Sequence, residues 1–114
     1  MNVIYKKRIL IDLDGVLNRY DGKFVEDFIP PINDGAAKIL EDLSKKYEVV
    51  IFTSRNLLLT AKWVMDNGLD KFVSNVTNVK EPAFLMIDDR CLNFDGDFEK
   101  LEKEIDNFEV WYKK

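Results

Sequence analysis

The chain has no histidine and one cysteine, Cys91, in 114 residues. Without histidine, there can be no histidine-dependent catalytic triad and no imidazole-ligated metal. Any acid–base work must fall to carboxylates, lysines, tyrosines or hydroxyls. One cysteine excludes an intramolecular disulfide and a cysteine-rich zinc site, and a lone cysteine is more often packed or inert than nucleophilic. No apolar run approaches the length of a membrane span. The start of the chain, "MNVIYKKRIL", lacks the apolar segment of a secretory signal, so a cytoplasmic protein is expected. The excess of acidic over basic residues, a formal charge of −4, argues against a nucleic-acid coat or an anionic membrane as the main partner.

What the chain does contain is ordinary for a single globular domain over residues 1–114, with 46% hydrophobic residues and no repeat or linker to divide it. The apolar segments alternate in type. "RILIDL" (8–13), "VVIF" (49–52) and "AFLMI" (83–87) are short and continuous, the signature of strands buried on both faces, and "KFVSNV" (71–76) is a weaker fourth. Helical spacing appears over 34–46, with Asn33 or Asp34 as cap, and over 57–67, with "NG" as its stop. A third helix is expected behind Asp97, through Phe98, Leu101, Ile105 and Phe108, followed by an irregular tail. Strands alternating with helices imply an α/β fold, a Rossmann-like three-layer α/β/α sandwich with a mainly parallel sheet. In such sheets ligands bind beyond the carboxyl ends of the strands.

Those strand ends carry the chemistry-bearing residues. The first closes on Asp12-Leu13-Asp14-Gly15, whose two aspartates share one face of an extended segment. Carboxylates that close repel unless a cation, a donor or a proton intervenes. The second strand closes on Thr53-Ser54-Arg55, the last on Asp88-Asp89-Arg90, and Lys80 precedes that last strand. Each feature alone has a plain structural explanation: a turn, a helix cap, a loop start, a solvated lysine. Their arrival in order at one sheet edge favours a site.

The combination resembles the haloacid dehalogenase-like phosphohydrolase superfamily. "DLDGV" (12–16), "VVIFTSR" closing on Thr53, Lys80 and "FLMIDDR" stand in the order of its four motifs, and the likeness spans about residues 7–107. It implies hydrolysis of phosphate monoesters through an aspartyl-phosphate on Asp12, with Asp14 as general acid/base and Lys80 paired with Asp12. It also implies Mg²⁺, held by Asp12, the backbone carbonyl of Asp14, and the Asp88/Asp89 pair, with Asp89 favoured as the direct ligand. Thr53 and Ser54 would hold phosphoryl oxygens, Arg55 and Arg90 would add phosphate contacts or serve as structural ion pairs, and Arg19 would lie near the leaving group.

The family's caps have no room here. Residues 16–32 allow only a small flap at about 17–30, turning at Asp21-Gly22, whose aromatics would pack over the sheet edge or form a homodimer contact. A capless, open site suits a phosphorylated small molecule or a macromolecular end, with no membrane partner. "IDDR" is also similar to the phosphatase part of polynucleotide kinase-phosphatases, which makes a nucleic-acid 3′-phosphatase the alternative activity. A catalytically quiet binding module of the same fold is the non-enzymatic alternative. A two-component receiver domain has similar parts in another order: adjacent acids on its first strand and a lone phosphoacceptor on a later one.

Overall fold

The computed structural model describes residues 5–113. Its centre is a four-stranded sheet, all parallel, in the order β3-β2-β1-β4. The strands are β1 (Lys7–Asp12), β2 (Tyr47–Phe52), β3 (Asn75–Thr77) and β4 (Leu85–Ile87). Central β1 pairs with β2 from Lys7↔Tyr47 to Asp12↔Phe52, and with β4 from Ile9↔Leu85 to Ile11↔Ile87. Hence the carboxyl ends of β1, β2 and β4 finish side by side, with Asp12, Thr53 and Asp88 at or just past them.

Helices α1 (Ala36–Ser44) and α2 (Leu57–Asp66) are the crossovers from β1 to β2 and from β2 to β3. Two right-handed crossovers that step the same way across a sheet lie on the same face. The core agrees: Ile11, Val49 and Ile51 join Leu40 of α1 and Trp63 and Val64 of α2 in one cluster. Leu10 and Val50, at the alternate positions, face the other way and are equally buried. Burial on both faces accounts for the unbroken apolar runs. A parallel α/β, Rossmann-like architecture is therefore present as expected.

Several boundaries differ from expectation, each for a local reason. The first helix starts at Ala36, not at residue 34, because Gly35 takes a left-handed conformation (φ 84°) just before it. Neither expected cap acts: Asn33 donates its amide to the carbonyls of Val16 and Asn18, and Asp34 pairs with Arg19. Tyr47, read as part of that helix's apolar spacing, opens β2. The second helix is capped by Asn56, whose side chain accepts from the Leu59 N–H, and it stops at Gly68 (φ 69°). The strand expected over 71–76 begins only at Asn75, since Leu69 anchors a turn that receives the Phe72 and Val73 N–H groups.

The third helix, α3 (Phe98–Asn107), is capped by Asp97 as expected but buries no residue, and Phe98 is 74% exposed. The tail closes in a single turn, Trp111–Lys113, behind buried Val110. No helix among the described residues is long and apolar enough to cross a membrane.

Candidate active site

The segment after β1 is built to hold a sharp bend. Asp14 remains extended (φ −72°, ψ 122°), and Gly15 then enters the left-handed region (φ 85°). A Cβ on residue 15 would collide with the Asp89 carboxylate and lie 3.0 Å from the Tyr112 ring, so the glycine is required by both conformation and space. Asn18, fully buried, ties the bend together. Its Oδ1 accepts from the N–H groups of Gly15 and Tyr20, each at 3.1 Å, and its Nδ2 donates to Asp14 Oδ1 at 2.9 Å.

Three carboxylates converge at the joint ends of β1 and β4. Asp12, Asp88 and Asp89 each offer an oxygen within 4.8 Å of the others. Burial, then the charge of Asp88, then hydrogen bonding with Asp89, push the Asp12 carboxyl up to about 8 from its ordinary 3.8. Asp89 is also raised, first by burial and next by its hydrogen bond with Asp88. Asp89 Oδ2 is buried without a hydrogen-bond partner among the described residues. A proton or a cation relieves such a cluster, and hard carboxylate oxygens suit a divalent ion that prefers oxygen ligands. The donor set thus fits Mg²⁺.

Asp14 is not part of this triplet. Its carboxylate accepts from Arg55 Nε at 2.8 and 3.0 Å and from Asn18, which fixes it on the β2 side of the cleft. Arg55, expected as a phosphate contact or a structural ion pair, pairs with Asp14: its side chain is fully buried, Nη1 donates to the carbonyls of Val25 and Phe28, and Nη2 is buried without a hydrogen-bond partner among the described residues. Thr53 is buried, its N–H bound to the Thr77 carbonyl and its Oγ1 accepting from the Arg55 N–H.

The cleft enclosed by these groups has a volume of about 260 Å³. It brings together six expected site residues, Asp12, Asp14, Thr53, Ser54, Asp88 and Asp89, with Arg90, Tyr20 and Phe24 around them. Two expected residues lie elsewhere. Arg19 is paired with Asp34 and lines a separate apolar hollow beside α1. Lys80 is exposed on the connection from β3 to β4, and the expected Lys80–Asp12 pair is not formed. The charges acting on Asp12 are those of other acids. Lys80 sits on the long connection that crosses from the β3 edge of the sheet to the β4 edge. Its field and that of Asp12 nonetheless both reach Cys91, whose thiol is raised chiefly by burial.

The sequence reading missed the tail's part in the site. Trp111 Nε1 donates to the Gly15 carbonyl at 2.7 Å, and the Tyr112 hydroxyl accepts from Arg90 at 3.3 Å. Tyr112 also meets Tyr20 edge-on, 6.1 Å between ring centres. The available signal in the sequence was the Val-Trp-Tyr cluster at 110–112.

Sheet order and crossovers define the class of protein as a small parallel α/β domain with an acidic cleft at its carboxyl edge. No protein-family model matches the chain, and no curated protein matches it. Among solved structures it is similar to a conserved protein from Bacteroides thetaiotaomicron, 19% identical with a TM-score of 0.61, over 94% of this chain and 95% of that one. A likeness at that identity speaks for the fold alone.

Proposed function

We propose that the protein is a Mg²⁺-dependent phosphomonoester hydrolase of the haloacid dehalogenase-like type. The observation that carries the reading is the Asp12–Asp88–Asp89 triplet, with its orphaned Asp89 oxygen, facing Asp14 and Thr53 across one cleft. A dication held by the triplet would neutralise the crowded acids and polarise a phosphoryl oxygen.

Asp12, at the rigid end of the central strand, is the nucleophile. An aspartyl-phosphate on its side chain divides a very slow hydrolysis into two easier steps. Asp14 gives a proton to the leaving oxygen and later takes one from the attacking water. Thr53, Ser54 and neighbouring backbone N–H groups receive the phosphoryl oxygens. Lys80, exposed and in no ion pair among the described residues, is assigned to meet the transferred group and would have to reach the cleft from the connection between β3 and β4. The open cleft, rimmed by Tyr20, Phe24 and Arg90, accepts a phosphorylated small molecule or a macromolecular end.

The test is Mg²⁺-dependent phosphate release, first from an aryl phosphate, then compared among mononucleotides, sugar phosphates and a 3′-phosphorylated oligonucleotide. Strong preference for the oligonucleotide would select the nucleic-acid phosphatase reading. Absence of release from all of them would leave a binding module of the same fold.

A further inference from the structure

Arg55 reaches back to two parts of the molecule that both precede it in the sequence: Asp14, 41 residues earlier, and the backbone at Val25 and Phe28, 30 and 27 residues earlier. Its Nε holds Asp14 at 2.8 Å, while Nη1 holds the backbone of the loop over residues 20–30 through Val25 (2.8 Å) and Phe28 (3.0 Å). The ring of Phe24 lies 4.5 Å from the guanidinium carbon. The loop has no regular structure of its own to keep it in place. Its ends are pinned by the Asn18↔Ile32 bridge, the Arg19 N–H to the Pro31 carbonyl, Trp63 Nε1 to the Pro30 carbonyl and the burial of Ile29 in the core, and between Phe24 and Phe28 the guanidinium ties it to Asp14.

We infer that Arg55 is a positioning residue that couples the conformation of this loop to the orientation of Asp14. The inference rests on the reading of Asp14 as the acid/base. The guanidinium has no exposed side-chain surface and its Nη2 already lacks a partner, so the contacts made by Nε and Nη1 are what offset its buried charge. When the loop is seated, its two carbonyls fix the plane of the fork, and the fork fixes the carboxylate. When it lifts, Arg55 loses half its bonds, and Asp14 loses the donor that aims it. Coupling of this kind is reciprocal, so the state of Asp14 also sets how firmly the loop is held. Lysine cannot substitute, since one ammonium cannot span a carboxylate and two carbonyls in fixed directions.

The test uses amide hydrogen exchange and steady-state kinetics on the full chain. In Asp14→Asn, which leaves Arg55 and the loop sequence intact, exchange over residues 20–30 should rise on the order of tenfold, the loss of one charge-assisted hydrogen bond. Exchange in β1 and β2 should stay unchanged. Arg55→Lys should lower kcat about a hundredfold with little change in KM, as expected for a misaimed catalytic group. Added to Asp14→Asn, it should lower kcat no further. Unchanged loop exchange in Asp14→Asn, or losses of kcat that multiply in the double variant, would overturn the coupling. Should Arg55→Lys fail to fold, the exchange result in Asp14→Asn decides alone. If the wild-type protein releases no phosphate, the exchange result still decides the coupling, while the hydrolase reading fails separately.

Discussion

The indole of Trp111 donates to the carbonyl of Gly15 at 2.7 Å across 96 residues of sequence, fastening the end of the chain to the bend that follows the central strand. That carbonyl has no helix or ladder to serve it, because the left-handed residue breaks the local pattern. The tail therefore forms part of the scaffold of the cleft and bears on how Gly15 and Asp14 are held.

Trp111→Phe keeps an aromatic ring and removes the donor. Stability should fall by about 1 kcal/mol, the net worth of one partly buried hydrogen bond, read as a lower midpoint in urea. Val110→Ala, which trims the buried neighbour of Trp111 and removes no hydrogen bond to Gly15, should lower stability without altering kcat. An unchanged midpoint in Trp111→Phe would show that the indole merely rests on the surface.

Gly15→Ala should be more severe than its one methyl group suggests. The new Cβ would strike the Asp89 carboxylate, and the backbone would be held at a positive φ that alanine resists. A cost of about 1–3 kcal/mol follows from the backbone strain. The displaced carboxylate should also weaken Mg²⁺ binding, measurable by titration calorimetry. Normal Mg²⁺ affinity in a folded Gly15→Ala protein would mean that Asp89 takes no direct part in holding the ion.

Lys80→Ala tests the cation assigned to the transferred phosphoryl group. The side chain is exposed, so stability should change by no more than about 0.5 kcal/mol, whereas kcat should fall about a hundredfold, as for loss of one group that stabilises developing charge. Phosphate release at the wild-type rate would remove Lys80 from the mechanism and agree with its separation from Asp12.

The parallel sheet and most site residues were legible because each rests on a local rule. Continuous apolar runs marked β1 and β2, and an acid or hydroxyl just past a strand lies at the carboxyl edge whatever the loops do. Arg55, Arg19 and Lys80 were not legible in the same way. Where a long cationic side chain ends depends on which carbonyls and carboxylates the loops bring within reach. Arg55 found the carbonyls of Val25 and Phe28, and Arg19 found Asp34. The cap of α1 failed for a related reason: Asn33 had a stronger use in binding the Val16 and Asn18 carbonyls, and Gly35 turned the chain instead.

The acid cluster sets the direction of the pH dependence. Asp12 holds its proton up to about pH 8 in the folded chain but only to its ordinary 3.8 when unfolded. Between those values the folded state binds more protons than the unfolded state, so stability falls as pH rises through that window. Asp89, also raised, acts in the same direction. The lowered carboxyls of Asp42 and Asp95 act below their ordinary 3.8, outside the window. The metal-free protein should therefore melt at a lower temperature at pH 8 than at pH 5. On the proposed reading Mg²⁺ would bind the deprotonated, folded cluster, so it should raise Tm more at pH 8 than at pH 5. Asp12→Asn takes away one crowded charge without changing shape. It should melt higher than the wild type at pH 8 in the absence of Mg²⁺, lose most of the slope with pH, and release no phosphate. A wild-type Tm that is flat from pH 5 to 8, or a Mg²⁺ effect equal at both, would rule out the triplet as a crowded cation site, and full activity in Asp12→Asn would rule out Asp12 as the nucleophile.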